Sequence, residues 1–561
     1  MLVYGDRSEQ VDPAALLSEL RSELRHLAEA PPGLARHGRL VAALVEAGRL
    51  HQGLADADFA ICGADRRCEA ADEIGRFVFR LAHAVCASWD RRFGSDLVLP
   101  QAPETKLPPS IEVREVEGYA FYAVYPEAYA DAARALVLEG LPRVIGIRSI
   151  GTSLAAVAAA ALGAPPPVTV RPTGHPFARR LSIAPDLAAE ILAEPTAHYI
   201  VVDEGPGLSG SSFGAVADWL EAQGVPLSRI AFLPSHGGAP GGEASAVHRE
   251  RWKRLQRIPA DLGPRLKDLV AEWIEDAIGP LDAPLAEISG GAWRSHVYRD
   301  ETDWPAADPQ GERRKFLALT SGGETWLVKF AGLGRTGTHK LERARALHAA
   351  GFAAEPRALV NGFLIERWHG GAGRGRPPLD AVARYLGTRA RLFPAAPGRG
   401  ASLGELLEMS RRNIGLALGE DAAARLQIPD AVPLPVETDN RLDLHEWIEP
   451  EPGRWLKTDA LDHHAAHDLV GCQDIAWDVA GAIVEFDLGD EDAAAFAEQV
   501  AQASGRPVDA ALIAFSITAY SAFRLGQASL AADRSPPGER ARLGARAAAC
   551  IARIRRNVGC P

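Results

Sequence analysis

The sequence predicts two unlike halves. The first is an α/β half with a parallel sheet covered by helices, and the second is an α+β half of two lobes. Three observations predict this. Between about residues 110 and 260, short apolar runs alternate with helical patterns at the spacing of strand–helix–strand units. Near residue 280 the alternation gives way to closely spaced strands with one helix. Beyond a Gly/Arg/Pro segment at 370–378 the chain reads as mostly helical to its end.

The elements follow in order. Residues 11–95 carry apolar residues at three- and four-residue spacing in LLSELRSELRHL, GRLVAALVEAGRL and DEIGRFVFRLAHAV, and Pro31 and Pro32 separate the first helix from the second. A Pro-rich loop spans 99–109. EGYAFYAVYP reads as β-like, followed by a helix over 127–139, strand RVIGIRS and helix SLAAVAAAALG. Strand HYIVVD, helix FGAVADWLEAQG and strand RIAFLPSH come next. In the second half, AEISGGAWRSHVY, RRKFLALTS, ETWLVKFAG and RALVNGFLIERW read as strands, with helix HKLERARALHAAG among them. The segment at 370–378 is either a hinge or a loose loop, and a short β stretch is expected between 444 and 461. These readings divide the chain into a helical region or hood at 1–110, an α/β unit at 111–275 and a two-lobed unit at 280–561, with lobes at about 285–370 and 378–561.

Composition bounds the function. Apolar residues at 47% and charged residues at 24% exclude a chain that is mainly disordered. A net charge of −12 argues against nucleic acid as a partner. The six cysteines, at 62, 68, 86, 472, 550 and 560, include no C-x-x-C pair, so reduced thiols in a cytoplasmic protein are expected. MLVYGDRSEQ meets charge at Asp6 and Arg7, and the longest Ala-rich run, 154–164, is about half of what a membrane span needs. Neither a membrane nor a targeting segment is expected.

HYIVVDEGPGLSGSSFGAVADWL is the most informative stretch of the first half. An apolar strand ends in Asp203 and Glu204, a Gly-rich loop follows, and a helix opens directly after it. Glycines let backbone N–H groups approach a phosphate, the helix N-terminus favours the anion, and Ser209, Ser211 and Ser212 beside Gly210 add hydroxyl donors. An acidic pair beside such a cradle suits a sugar phosphate. The arrangement resembles the diphosphoribose-binding motif of type I phosphoribosyltransferases, with one residue more between the acids and Gly210. RVIGIRSIGTSL resembles the same family's pyrophosphate loop, with Arg148, Ser149, Gly151 and Thr152 in the turn. VRPTGHPFARRL stands where such enzymes keep a loop over the site, and its Arg171, His175, Arg179 and Arg180 are candidates to neutralise departing pyrophosphate. The resemblance implies a Rossmann-like sheet with a helical hood, Mg²⁺ on the diphosphate, phosphoribosyl diphosphate as substrate and a nucleotide- or nucleoside-like nitrogenous acceptor.

The second half carries its own constellation. Lys329 lies inside the apolar strand of WLVKFAG, with Glu342 thirteen residues on in a helix. A strand lysine paired with a helix glutamate around the phosphates of ATP is a protein-kinase-fold device. Gly290 and Gly291 precede it at the position of a nucleotide-covering turn. GRWLKTDALDHHAAHDLVGCQDIAWDVAGAIVEF resembles aminoglycoside phosphotransferases and related small-molecule kinases. That resemblance implies Asp462 as the Mg²⁺ ligand with Asp459 competing for the role, and Asp474 bracing the catalytic loop with Asp478 as an aid. ETDNRLDLHEWIE stands where the family has H-G-D and a later Asn. Asp439 is the first choice for the base and Asp443 the second, and His445 or Glu446 takes the metal-binding Asn position. His463, His464 and His467 are read as a solvated loop near the metal, with a transition-metal site formed together with Asp462 and Asp468 as the alternative. The expected protein is a transferase using phosphoribosyl diphosphate and ATP, with homo-oligomerisation left open. The alternative is a sensor of nucleotide and diphosphoribose with degenerate modules.

Overall fold

The computed structural model describes residues 1–5, 7–94 and 97–559; Asp6 and Cys560 lie outside the described residues. Helices Pro13–Glu29, Leu34–Cys62 and Glu69–Asp90 form the N-terminal helical region. Asp12 starts the first by accepting the Ala14 N–H at 2.8 Å, with Pro13 where no N–H is needed. The five described cysteines are free thiols. No helix of the described residues is long and apolar enough to cross a membrane.

Five parallel strands lie in the order Val168–Val170, Pro142–Ile147, His198–Val202, Ile230–Leu233 and Gln256–Arg257. His198–Val202 is buried along its whole length, as a strand covered on both faces must be. One face of the sheet, through Val144, Ile200 and Leu233, joins a large core with helix Gly151–Leu162 and the N-terminal helices. The other, through Ile145, Val201 and Phe232, packs on Phe213, Leu220 and Trp252. The strand order reverses between Pro142–Ile147 and His198–Val202, and the crevice beyond their carboxyl ends is where open sheets bind ligands.

EGYAFYAVYP corrects the sequence reading. It forms a short helix, Glu117–Phe121, then a turn with Ala123 at φ +52°, then helix Pro126–Arg134, which ends five residues before the expected Glu139. Tyr119, Ala120 and Phe121 are all buried, and an apolar run of this length fits a buried helix turn as well as a strand.

The second sheet is antiparallel, in the order Ala286–Glu287, Lys315–Leu319, Thr325–Phe330, Phe363–Arg367 and Pro356–Val360. AEISGGAWRSHVY contributes only two residues to it. Gly290 and Gly291, at φ +63° and +84°, then turn the chain into the 3₁₀ turn Ala292–His296, whose buried Arg294 pairs with Glu539 at 2.8 Å. The 370–378 segment is held in part: Gly373 and Arg374 pair with Glu449 and Ile448 in a small sheet completed by Arg454–Lys457. Helices Leu379–Leu392, Leu403–Leu418, Ala476–Glu485, Asp490–Ser504, Ala510–Asp533 and Pro537–Asn557 make up most of the rest.

The two halves share a core. Phe316, Val328 and Phe330 of the antiparallel sheet belong to the same apolar cluster as Leu44, Tyr125 and Trp273. The first residues of the chain reach the opposite end of the sequence: Leu2 N–H donates to Asn413 Oδ1 at 2.7 Å, and Val3 is buried with Met409, Phe523 and Ile554. Ser8–Val11 then pairs with Ile111–Arg114. Within that strand Glu9 accepts from Arg49 at 2.5 Å, Arg335 at 2.7 Å and Arg399 at 2.8 Å, three arginines from three separate regions. Burial alone would raise the Glu9 pKa; Arg335 and Arg49 outweigh it and hold the carboxyl at about 2.

A carboxyl held below its unfolded value contributes stability above about pH 4.5 and loses it as pH falls toward 2. Glu9→Gln is therefore expected to cost about 2–3 kcal/mol at pH 7. In denaturant titrations the gap to the unsubstituted protein should close as pH falls from 5 to 3. A gap that stays constant with pH would show that the three arginines do not act through the charge of Glu9.

Candidate functional sites at the two sheet ends

The first site lies at the reversal of the parallel sheet. Strand Pro142–Ile147 turns at 148–151 into helix Gly151–Leu162, and this turn lies against the end of strand His198–Val202: a Cβ on Gly151 would stand 2.6 Å from Val202 O. Only glycine allows that approach. Asp203 and Glu204 follow the second strand. Burial is the main cause that pushes the Asp203 carboxyl up to about 7, against small opposing effects of the Glu204 N–H, Arg171 and Arg179. Burial, then Glu117 and Asp203, push Glu204 up to about 8. Ser149 and Ser212 are half-buried beside them, and the Thr152 hydroxyl is buried without a hydrogen-bond partner. Among the described residues, the site thus holds two carboxyls in no direct ion pair and one hydroxyl without a hydrogen-bond partner.

Several predicted ligand-binding side chains are used elsewhere. Arg148 is buried against Asp65 and donates to Asp56 at 2.8 Å; Arg171 donates to the same Asp56 oxygen at 2.9 Å and to Arg148 O at 2.6 Å. Both guanidiniums brace the turn from the helical region. Ser209 and Ser211 also turn away from an open cradle. Their hydroxyls donate to Pro176 O at 3.1 and 2.6 Å, so the loop is fastened to the tip of hairpin Thr173–His175/Ala178–Arg180. Gly210, at φ +61°, begins the following helix. On the hairpin, His175 is exposed and its Nδ1 accepts the Phe177 N–H; Arg180 is exposed, and half-buried Arg179 is the hairpin cation whose charge reaches Asp203.

The second site lies between the antiparallel sheet and the mostly helical part of the chain that follows residue 378. Lys329 is ion-paired with Asp459, which stands at φ +54° just beyond strand Arg454–Lys457. Glu342 does not meet it: the helix Gly334–Ala349 turns Glu342 to solvent. The residue that this helix sends inward is Lys340, two positions earlier, whose Nζ donates to Asp462 Oδ2 at 3.0 Å, with Arg313 Nε 3.6 Å from the same oxygen. Burial lowers Lys340 to about 8 despite Asp462. The Gly291 N–H is taken by Glu312 at 3.0 Å, so the turn at Gly290 and Gly291 is tied down.

Among the described residues, Glu446, Asp459 and His463 bring ligand atoms within 4.8 Å of one another. His463 Nδ1 is 2.9 Å from Asp439 O, which leaves Nε2 on the side of Asp459 at 3.5 Å. This oxygen-and-imidazole set becomes open to a divalent cation only when its internal partners move: Lys329 holds Asp459, Lys457 holds Glu446, and, against burial, hydrogen bonds to Asp439 and Asp459 raise His463 to about 9. Asp462, the expected metal ligand, is outside it and is neutralised by Lys340 and Arg313. Lys457, unremarked in the sequence, donates to Glu446 at 2.6 Å and lies 3.3 Å from Asp439.

Neither expected base is open to a substrate. Asp439 is 1% exposed and enclosed by Tyr385 O–H at 2.5 Å, Lys457 and His463. Asp443 is buried between Arg524, at 2.8 Å, and Arg546. Bracing of the loop falls to Asp478, whose carboxylate accepts the N–H groups of Asp439 and Asn440 at 2.7 and 2.9 Å. Asp474 instead accepts from Leu434 N–H at 2.8 Å and caps its own helix at Ala476 N–H. The three histidines are not one solvated loop: His463 and His464 are buried, and His467 pairs with Glu117.

No protein-family model matches the sequence, and no curated protein matches it. Solved structures resemble part of it. Choline kinase LicA from Streptococcus pneumoniae is 13% identical over 53% of this chain and 99% of its own, with a TM-score of 0.34. A type I macrolide 2'-phosphotransferase is 14% identical over 52% and 97%, with a TM-score of 0.33. Spectinomycin phosphotransferase APH(9)-Ia, in complex with ADP and spectinomycin, is 10% identical over 52% and 98%, with a TM-score of 0.35.

Two outcomes follow from the geometry. Carboxyls whose folded pKa is raised lose stability as pH climbs from their unfolded values near 4 through about 7 and 8. Asp203→Asn with Glu204→Gln should therefore raise the thermal midpoint at pH 8 by on the order of 4 °C and leave it unchanged near pH 4; an equal change at both pH values would contradict the burial argument. Asp478→Ala strands two buried N–H groups and should cost about 3 kcal/mol, against at most about half that for Asp474→Ala. Equal costs in chemical denaturation would remove the bracing role.

Proposed function

We propose that the protein is a small-molecule transferase of the cytoplasm that binds a nucleoside triphosphate in the cleft between the antiparallel sheet and the mostly helical part of the chain that follows residue 378. Phosphoribosyl diphosphate binds in the crevice of the parallel sheet. The observation that carries the first part is the Lys329–Asp459 pair across the cleft, with Glu446 and His463 gathered beside it. In this reading Lys329, Lys340 and Arg313 face the phosphates. Glu446, Asp459 and His463 hold Mg²⁺, which supplies charge neutralisation for the triphosphate. The product of this half is a phosphorylated small molecule.

The second part is supported by the acidic pair, the glycine-dependent turn and the hairpin fastened over the loop. In this reading Asp203 and Glu204 accept from ribose hydroxyls, and the N–H groups of the 149–152 turn face the pyrophosphate. An acceptor nitrogen forms its bond to C1 as the C1–O bond breaks, and pyrophosphate leaves with the electron pair. The acceptor N–H proton passes to Glu204 in its ionised form, which burial, Glu117 and Asp203 confine to pH near and above 8. Positive charge building on the ribose is met by the two carboxylates.

A second reading is favoured by one observation, the enclosure of both Asp439 and Asp443. There the triphosphate is bound without being transferred, and the protein reports on its ligands.

The experiment is release of ADP from ATP, and of pyrophosphate from phosphoribosyl diphosphate, across a metabolite panel. Lys329→Ala is expected to weaken ATP binding at least about tenfold, a loss of about 1.4 kcal/mol. Asp203→Ala with Glu204→Ala should abolish binding of phosphoribosyl diphosphate. Binding of both ligands with release of neither selects the sensor, and ATP binding unchanged by Lys329→Ala removes the clamp.

A further inference from the structure

A cavity of ≈ 410 Å³ lies beyond the carboxyl ends of three parallel strands, lined in part by Glu204. Its volume is in the range of small-ligand sites. Glu204 and Ser235 form its floor beside the ends of strands His198–Val202 and Ile230–Leu233, while His236 and Asp261 stand on the loops that follow strands Ile230–Leu233 and Gln256–Arg257. Tyr122 forms a wall. The remaining polar group is Arg314, which comes from the other half of the chain, one residue before strand Lys315–Leu319.

The chemistry of this lining is uneven. Glu204 and Asp261 are carboxyl groups. His236 Nδ1 accepts the Gly238 N–H at 3.1 Å, so its Nε2 carries the hydrogen of the neutral ring. Ser235 is engaged with Glu204 O. Arg314 is the one cation among the lining residues. Its Nε is buried and faces the Glu287 carboxylate at 3.2 Å without a well-formed hydrogen bond, and Glu287 is itself 44% exposed. A half-exposed ion pair of this kind holds a guanidinium weakly, so an anion inside the cavity competes for it on favourable terms. A guanidinium fork matches a carboxylate by two parallel hydrogen bonds. On the opposite side, Glu204 and Asp261 accept from N–H donors.

We infer that this cavity receives the acceptor, a nitrogen heterocycle bearing an acidic substituent, and that Arg314 from the second half sets that preference. The word acceptor rests on the phosphoribosyl reading above; the preference for an acidic heterocycle does not. The fused half thereby completes a binding site on the parallel sheet.

The test uses the full chain and matched pairs of five- and six-membered nitrogen heterocycles as carboxylate and carboxamide, pyrazine-2-carboxylate against pyrazinamide among them. Binding is read by ligand-observed NMR titration with and without phosphoribosyl diphosphate. At least one carboxylate should bind tenfold or more tighter than its amide. Arg314→Gln should bring that ratio within twofold while leaving amide binding and the thermal midpoint unchanged, and Arg314→Lys should restore part of the ratio. No binding by any compound, equal binding of every pair, or a preference that survives Arg314→Gln overturns the inference. Pyrophosphate release is followed separately: an Arg314-dependent preference with no release with any acceptor keeps the site and sinks the phosphoribosyl reading.

Discussion

A carboxylate taken out of water must find a cation or take up a proton, and this chain applies each solution on one side of a single short segment. On the parallel-sheet side, Asp203 and Glu204 have no paired cation and rise to about 7 and 8. On the other side, Asp459 and Asp462 are met by Lys329, Lys340 and Arg313, and both stay well below the usual carboxylate range. The first site is therefore poised to gain from any ligand that brings hydroxyl donors or a cation. The second must release internal pairs before it can grip an anion. That difference in cost bears on every functional reading, because a ligand's net affinity is what remains after such pairs are broken.

The segment between the two sites is Glu117–Tyr125, and its residues answer to both. The Tyr119 O–H is 2.9 Å from Ser153 Oγ, in the helix that opens at the 148–152 turn, while Tyr119 O accepts the Leu333 N–H at 2.9 Å from the helix start that carries Lys340. The Phe121 ring lies under Arg313, 4.5 Å from its guanidinium carbon, and under Lys340. Gly118 borders Glu204, where a Cβ would stand 2.8 Å from Oε2. Glu117 pairs with His467. The segment is thus packed against both sites, and the apolar core includes residues of both sheets.

Legibility in the sequence followed the physics of each signal. Three of the five parallel strands were readable, because strands covered on both faces must be continuous apolar runs, whereas the short edge strands Val168–Val170 and Gln256–Arg257 carried no such signal; the turns at Gly151 and Gly210 were readable because positive φ or close backbone approach demands glycine. EGYAFYAVYP was misread because its apolar residues serve a wall between two sites rather than one face of one element. Arg148 and Arg171 were assigned to pyrophosphate because a basic residue in a loop looks free until its partners are known; Asp56 and Asp65, some hundred residues earlier, gave no local sign of claiming them. The same limit explains Lys340 and Glu342. The two stand on nearly opposite sides of one helix, and only the roll of that helix against the sheet decides which faces inward. Lys457 had a signal that was passed over, a lysine within an apolar strand beside a candidate metal residue.

The closed state of Asp439 bears on how the second site works. Its carboxylate receives Tyr385, Lys457 and His463 at once, and its backbone N–H is held by Asp478. A base in that position would have to give up several charge-assisted hydrogen bonds to reach a substrate hydroxyl, at about 1.5–3 kcal/mol each. Asp459 is held as well, by Lys329 and His463, but by fewer partners. Its side chain is 40% exposed and lies against Lys329 and His463 at the mouth of the cleft. Asp459 therefore meets solvent, whereas Asp439 is enclosed by Tyr385, Lys457 and His463 and could reach a ligand only by releasing them.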